Sequence, residues 1–134
     1  MERKIKFRGK NIHTGEWLYG DYHREGKTHY ITKPGDYLRE YAPIEFIVDG
    51  KTVGEFTGLL DAKQKEIYEG DIVKYYDDIE DELVNSHVIY HKDSCSFCTA
   101  PTELCGDYTG ICAHWQFEVI GNIHDNPSLI SDKQ

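Results

Sequence analysis

Tyr68-Glu69-Gly70-Asp71-Ile72-Val73 is the stretch on which the fold turns, and Val119-Ile120-Gly121-Asn122-Ile123 repeats its character near the end of the chain. In each, a glycine stands beside a polar residue and is flanked by apolar, mostly β-branched residues that favour strands. A Gly-Asp pair before such a run reads as a tight corner leading into a strand. Neither stretch holds a nucleophile with a base, a phosphate loop or a full metal-ligand set. Both read as architecture.

Outward from these stretches the chain is a series of short β-segments separated by turns. Ile5 and Phe7 alternate with Lys4, Lys6 and Arg8, the period-2 pattern of a strand with one polar face. Trp17 to Tyr22 and Lys27 to Thr32 read as strands joined through Arg24-Glu25-Gly26, and Pro34-Gly35-Asp36 as a turn. Glu45 to Val48 is a short strand stopped by Asp49-Gly50, a favoured hairpin dipeptide. Val53 to Leu60, interrupted by Gly54 and Gly58, fits a bent strand or a short helical turn. Ile72 to Tyr76 and Leu83 to Tyr90 are strands around the acidic run 77–82, read as a solvated loop. Trp115, Phe117 and Val119 alternate with His114, Gln116 and Glu118, the clearest strand pattern in the sequence. Asn126-Pro127-Ser128 opens a short helical turn, since proline suits a first helical position. No segment has ten residues of clean helical period, and no repeat or composition step marks a second domain. The expectation is a single mostly β domain over 1–134, built of short antiparallel strands with a small barrel-like, SH3-like sheet and one or two helical turns.

Composition narrows the function classes. The chain has 134 residues, a formal charge of −9 and a sequence pI near 5.1. Wrapping a nucleic acid requires a basic footprint, so the whole-chain balance argues against general DNA or RNA binding. The charge is uneven, however. Residues 1–41 carry nine basic side chains against six acidic ones, together with Trp17, Tyr19, Tyr22, Tyr30, Tyr37 and Tyr41. A single-strand binder pairs stacking rings with positive charge in this way; lysines guarding an edge strand, with aromatics packed on strand faces, are the plainer reading. No apolar run has the ~18 residues of a membrane span, and the charged N-terminus has no apolar stretch behind it. The cytoplasm is therefore expected, where thiols stay reduced.

The candidate chemistry centres on Cys95-x-x-Cys98, Cys105 and Cys112, flanked by His91 and His114. A CxxC knuckle supplies two zinc ligands from one turn. Cys105 and Cys112 are too far apart for a second knuckle, and Cys112-x-His114 is too close for the usual pairing. A loop of reduced cysteines, some packed as small hydrophobes, is the alternative, and a redox CxxC would need a helix that Ser94, Ser96 and Phe97 do not announce. The run Asp77 to Glu82 lacks the spacing and glycine of a calcium loop. His124-Asp125 is a chance neighbour rather than evidence of a triad, which only geometry defines. Gly54, Gly58, Gly70 and Gly121 belong to no phosphate-loop pattern; positive φ or close strand packing accounts for them. No catalytic, cofactor-binding or metal residue is assigned, and no cofactor is expected.

Ile5-Lys6-Phe7-Arg8-Gly9, Gly15-Glu16-Trp17-Leu18-Tyr19-Gly20, Thr52-Val53-Gly54-Glu55-Phe56-Thr57-Gly58-Leu59, Glu66-Ile67-Tyr68-Glu69-Gly70-Asp71-Ile72-Val73 and Val119-Ile120-Gly121-Asn122-Ile123 with Asn126-Pro127 follow one another in an order that resembles the YopX family of small phage and prophage proteins. The family pattern has Lys-Asn-Gly-Lys before Glu-Ile-Tyr. Here Lys63-Gln64-Lys65 lacks the glycine, so that loop is expected to be rearranged, and the cysteine segment lies outside the pattern. The resemblance implies a mostly β, barrel-containing fold of phage or prophage origin, and brings no activity, cofactor or catalytic residue with it. The expectation is a non-enzymatic accessory protein acting through contacts with a phage or host protein, or with a second copy of itself, and not with membranes. The alternatives are a nucleic-acid binder using the basic first third and an acidic DNA mimic presenting the 77–82 run to a host protein.

Overall fold

The computed structural model describes residues 3–33, 44–102 and 105–130. Pro34-Gly35-Asp36, Tyr37, Arg39 and Tyr41 lie outside them. About half of the described residues are in strands, arranged as two antiparallel sheets, and the only helices among them are short 3-10 turns. The mostly β expectation holds. The barrel does not: the strand orders are open-ended, and neither sheet closes on itself. No helix among the described residues is long and apolar enough to cross a membrane.

The chain divides into two compact units, 1–56 and 57–134. In the first, β1 (Phe7–Lys10), β2 (Trp17–Glu25), β3 (Thr28–Thr32), β4 (Ile47–Val48) and the start of β5 (Gly54–Leu60) lie in the order β4-β3-β2-β1-β5. β2 and β3 form a hairpin from Asp21↔Thr32 to Glu25↔Thr28, closed at Gly26, whose φ of +61° a glycine adopts without strain. Tyr30, Ile31, Val48 and Phe56 are buried. Asp49-Gly50 does not form the expected hairpin. Asp49 instead caps a 3-10 turn, Gly50–Thr52, by accepting a hydrogen bond from the Lys51 N–H at 3.0 Å. Asp is as good a helix cap as it is a turn residue, and the dipeptide alone does not distinguish the two.

The second unit holds the later residues of β5 with β6 (Glu66–Tyr68), and a sheet of order β10-β9-β8-β7-β11. Its strands are β7 (Asp71–Asp77), β8 (Glu82–His91), β9 (Ser96–Thr99), β10 (Thr109–Gly110) and β11 (Glu118–Asn122). Ile67, Val73, Val84, Val88, Phe117 and Val119 belong to one buried cluster. The corner read from Gly70-Asp71 is present. Gly70 has φ +95°, and buried Asp71 accepts the Tyr68 N–H at 2.7 Å, tying the end of β6 to the start of β7.

Two segments differ from the pattern reading. His114–Gln116 is a 3-10 turn, and β11 begins only at Glu118. Gln116 and Phe117 donate N–H bonds back to Ala113 and His114, so this backbone is satisfied locally and Trp115 is left exposed. Within the cysteine segment, β9 and β10 pair as strands where a loop was expected.

Asp61 organises the turn before β6. Its Oδ1 accepts the N–H groups of Lys63 and Lys65, and its Oδ2 that of Val119, all at 2.8 Å. Gln64 lies within this turn at φ +67°, the left-handed region that costs a side chain about 1–2 kcal/mol. Gln64→Gly therefore relieves strain where the chain lacks glycine. A gain of up to about 1 kcal/mol is expected after the entropy glycine adds to the unfolded state, read as a rise in urea midpoint. A loss would show that the Gln64 side chain stabilises the turn.

Candidate functional site

A concave feature lies in the second unit, where the β7–β8 hairpin end approaches the 105–110 segment and the 3-10 turn at 114–116. It is a cavity of about 470 Å³. Tyr75 and Phe117 stack at its base with ring centroids 4.9 Å apart, and both are buried. Tyr76, Asp77, Asp78 and Ile79 line one side; Cys105, Asp107 and Tyr108 line another.

Local chemistry fixes these groups. The run read as a solvated loop is the tight end of a hairpin whose last pair is Asp77↔Glu82. Asp77 is buried, and its Oδ1 accepts the N–H groups of Ile79 and Glu80, both at 2.9 Å. The Glu80 N–H, helped by the Cys105 side chain and the Ile79 N–H against some desolvation, holds this carboxyl below its ordinary range. Asp81 takes a left-handed backbone and accepts the Tyr76 hydroxyl. Two of the five acids in 77–82 thus act within the turn. Asp78, Glu80 and Glu82 are exposed.

The Tyr75 side chain lines the cavity, and its hydroxyl is buried away from water with no hydrogen bond of good geometry. Burial pushes its pKa up, and the nearby Thr109 and Thr99 side chains offset this only in part. Cys105 turns its thiol toward the Asp107 carbonyl and the Thr109 hydroxyl, each at 3.8 Å. The Tyr108 ring is half exposed and stacks on His91 with centroids 4.0 Å apart. An unsatisfied buried hydroxyl is a cost, so Tyr75→Phe should leave stability unchanged or raise it by about 1 kcal/mol. A clear drop in thermal midpoint would mean that the hydroxyl is bonded in solution.

The cysteines do not assemble as a knuckle. Cys95 lies in an exposed turn at φ +52°, Cys98 is buried in β9, Cys105 is buried beside the cavity, and Cys112 is exposed. Burial raises the Cys98 thiol pKa. His91 bonds Ser94, and His114 Nδ1 lies 2.6 Å from the Leu60 carbonyl. Among the described residues, no three of His, Cys, Asp and Glu gather closely enough to hold a metal ion.

Three basic residues of the first unit lie over its rings. Arg8 is 6% exposed, with its guanidinium 4.6 Å from the Trp17 centroid. The Lys10 ammonium lies 5.8 Å from the same ring and that of Lys6 5.6 Å from Phe56. Of the glycines singled out in sequence, Gly58 has φ +89°, and a Cβ on Gly121 would lie 2.6 Å from the Asn126 side-chain Oδ1.

Sequence reasoning missed the cavity because its walls come from segments some thirty residues apart. The signal available was Asp77 directly after Tyr75-Tyr76, an acid at the end of a strand, where carboxylates cap turns. The family model described as YopX protein matches residues 6–131. No curated relative matches the chain.

Proposed function

The chain belongs to the YopX family, and on that premise we propose that it is a non-enzymatic phage or prophage accessory protein that docks a protein partner on the end of its β7–β8 hairpin. The observation that carries this reading is the hairpin surface. Ile79 at the turn is 86% exposed, and Tyr76 and Leu83, cross-strand partners, are 51% and 62% exposed. Apolar side chains grouped in water favour burial by a partner. Asp78, Glu80 and Glu82 surround them and select a partner of basic character, because charge complementarity sets specificity and encounter rate. Two copies of the chain meeting at this surface would set like charges together, which disfavours self-association here.

The test is partner capture from host-cell extract with the wild-type chain and with the triple variant Glu80→Gln, Glu82→Gln, Leu83→Ser. These positions are exposed, so the variant should keep its thermal midpoint. The expected result is a protein captured by the wild type at low salt, weakened as salt rises and lost with the variant. Equal capture by both chains would remove the hairpin end as the docking surface.

A further inference from the structure

We propose that the cavity beside Tyr75 is a receptor for a single arginine side chain projecting from that basic partner. This deepens the hairpin reading and rests on it for the source of the arginine.

The wall chemistry defines the ligand. Asp77, Asp78 and Asp107 line the cavity, and among the described residues no lysine, arginine or histidine does. An occupant is therefore cationic. A metal ion is a poor match, since the described carboxylates, thiols and imidazoles do not converge in threes. An organic cation fits better because aromatic rings share the wall. Tyr108 is held against His91 and half exposed, leaving it able to act as a platform, and Tyr76 also lines the cavity. Cations bind such faces through the ring quadrupole.

A guanidinium suits this wall better than an ammonium. It is planar, stacks on tyrosine, and directs five N–H donors in fixed directions, whereas lysine offers a compact and strongly hydrated charge. The acceptors are of different kinds and are spread around the cavity. The aspartate carboxylates, the Thr109 hydroxyl and the Gln116 amide oxygen all belong to lining residues. A guanidinium that meets one of these carboxylates makes a charge-assisted bond, about twice as strong as a neutral one. The volume of about 470 Å³ is ample for one side chain and lies within the usual range of ligand pockets.

The experiment is amide-resolved NMR titration of the full chain with N-acetyl-arginine-amide, and in parallel with the lysine and citrulline analogues. Arginine should give saturable shifts confined to 75–79 and 105–110, with a millimolar Kd, as befits one side chain. Lysine should bind at least about fivefold more weakly, because it neither stacks nor forks. Citrulline, of the same shape without charge, should not bind. Asp107→Asn, at an exposed position, should weaken arginine at least about fivefold through loss of a charged acceptor. Absence of saturable shifts, or equal response to arginine and lysine, would overturn the proposal. The two readings separate cleanly. The triple hairpin variant avoids the cavity wall, so an unresponsive cavity with hairpin-dependent capture sinks the arginine site alone. Arginine binding with hairpin-independent capture sinks the docking surface alone.

Discussion

Asp61→Ala should remove a large part of the stability of the second unit. This carboxylate is 2% exposed and accepts three backbone N–H bonds, from Lys63, Lys65 and Val119. It joins the turn after β5 to the start of β11, beside the Ala62 N–H bond to the Phe117 carbonyl at 2.8 Å. Alanine leaves three N–H groups without their acceptor in a place water reaches poorly. Bonds to a charged acceptor contribute about 1.5–3 kcal/mol each and are not additive, so a loss of about 4 kcal/mol is expected. Small domains have only about 5–15 kcal/mol in total, and a change of this size lowers the thermal midpoint by roughly 10–20 °C. Asp61→Asn should fall between the two. Its oxygen can serve Lys63 and Lys65, while its amide opposes the Val119 N–H. Thermal and urea unfolding of the three proteins would decide, and a loss under about 1 kcal/mol for alanine would show that the turn does not depend on this side chain.

The same group gives the stability a pH dependence with a definite sign. Burial raises the Asp61 pKa, but the Val119, Lys65 and Lys63 N–H groups outweigh it and leave the carboxyl below its ordinary value. A depressed carboxyl binds fewer protons folded than unfolded. Its contribution is therefore complete above about pH 4 and disappears as pH falls through the folded pKa. Asp77 acts in the same direction. His87 begins earlier: desolvation lowers its pKa, so the unfolded chain takes up its proton first, from about pH 6.5 downward. Urea midpoints should fall in two stages on acidification. His87→Gln should flatten the upper stage and leave the lower one; a single stage in both proteins would contradict the assignment.

The second large effect concerns Gly20. A Cβ built there would lie 1.9 Å from the Thr32 carbonyl oxygen and 2.9 Å from its carbon. These are backbone atoms of the neighbouring strand, so no rotamer change can make room. Gly20 faces Phe7 in the β1–β2 ladder, and Asp21 faces Thr32 in the β2–β3 ladder. Room for a methyl group can come only from parting strands. A loss of about 3 kcal/mol or more is expected for Gly20→Ala, at the upper end of overpacking costs. Gly15 and Gly26 are the controls, because a Cβ at either meets nothing within 4 Å. Alanine there costs only the positive φ, about 1–2 kcal/mol. If all three variants unfold at the same urea concentration, the close approach at Gly20 is not present in solution.

How legible this structure was depends on where each signal resides. The β2–β3 hairpin, the Gly70-Asp71 corner and the two strands around the acidic run were readable because alternation and turn residues are local, and the ladders formed from sequence neighbours. The alternation at 114–119 misled because a 3-10 turn with Phe117 inward and Trp115 outward presents a similar pattern; which one forms depends on Asp61 and Leu60, more than fifty residues earlier. Barrel closure is a property of edges that never meet, invisible in any single strand. The cavity was hidden for the same reason. Tyr75, Asp77 and Cys105 look like a strand aromatic, one acid in a run and one thiol in a loop until β8, β9 and β10 bring the 105–110 segment alongside.

The division of the thiols, Cys95 and Cys112 at the surface and Cys98 and Cys105 inside, equips the chain with its own clock. An alkylating reagent reaches the first two at the speed of the reagent, and the second two only when the surrounding strands open. Cys98 in β9 reports the opening of that sheet. Cys105 reports the wall of the cavity, so an occupant that holds the cavity shut would slow its alkylation and leave that of Cys95 unchanged. Mass counting of labelled thiols over time would thus convert this division of the thiols into a site-resolved record of how the unit breathes.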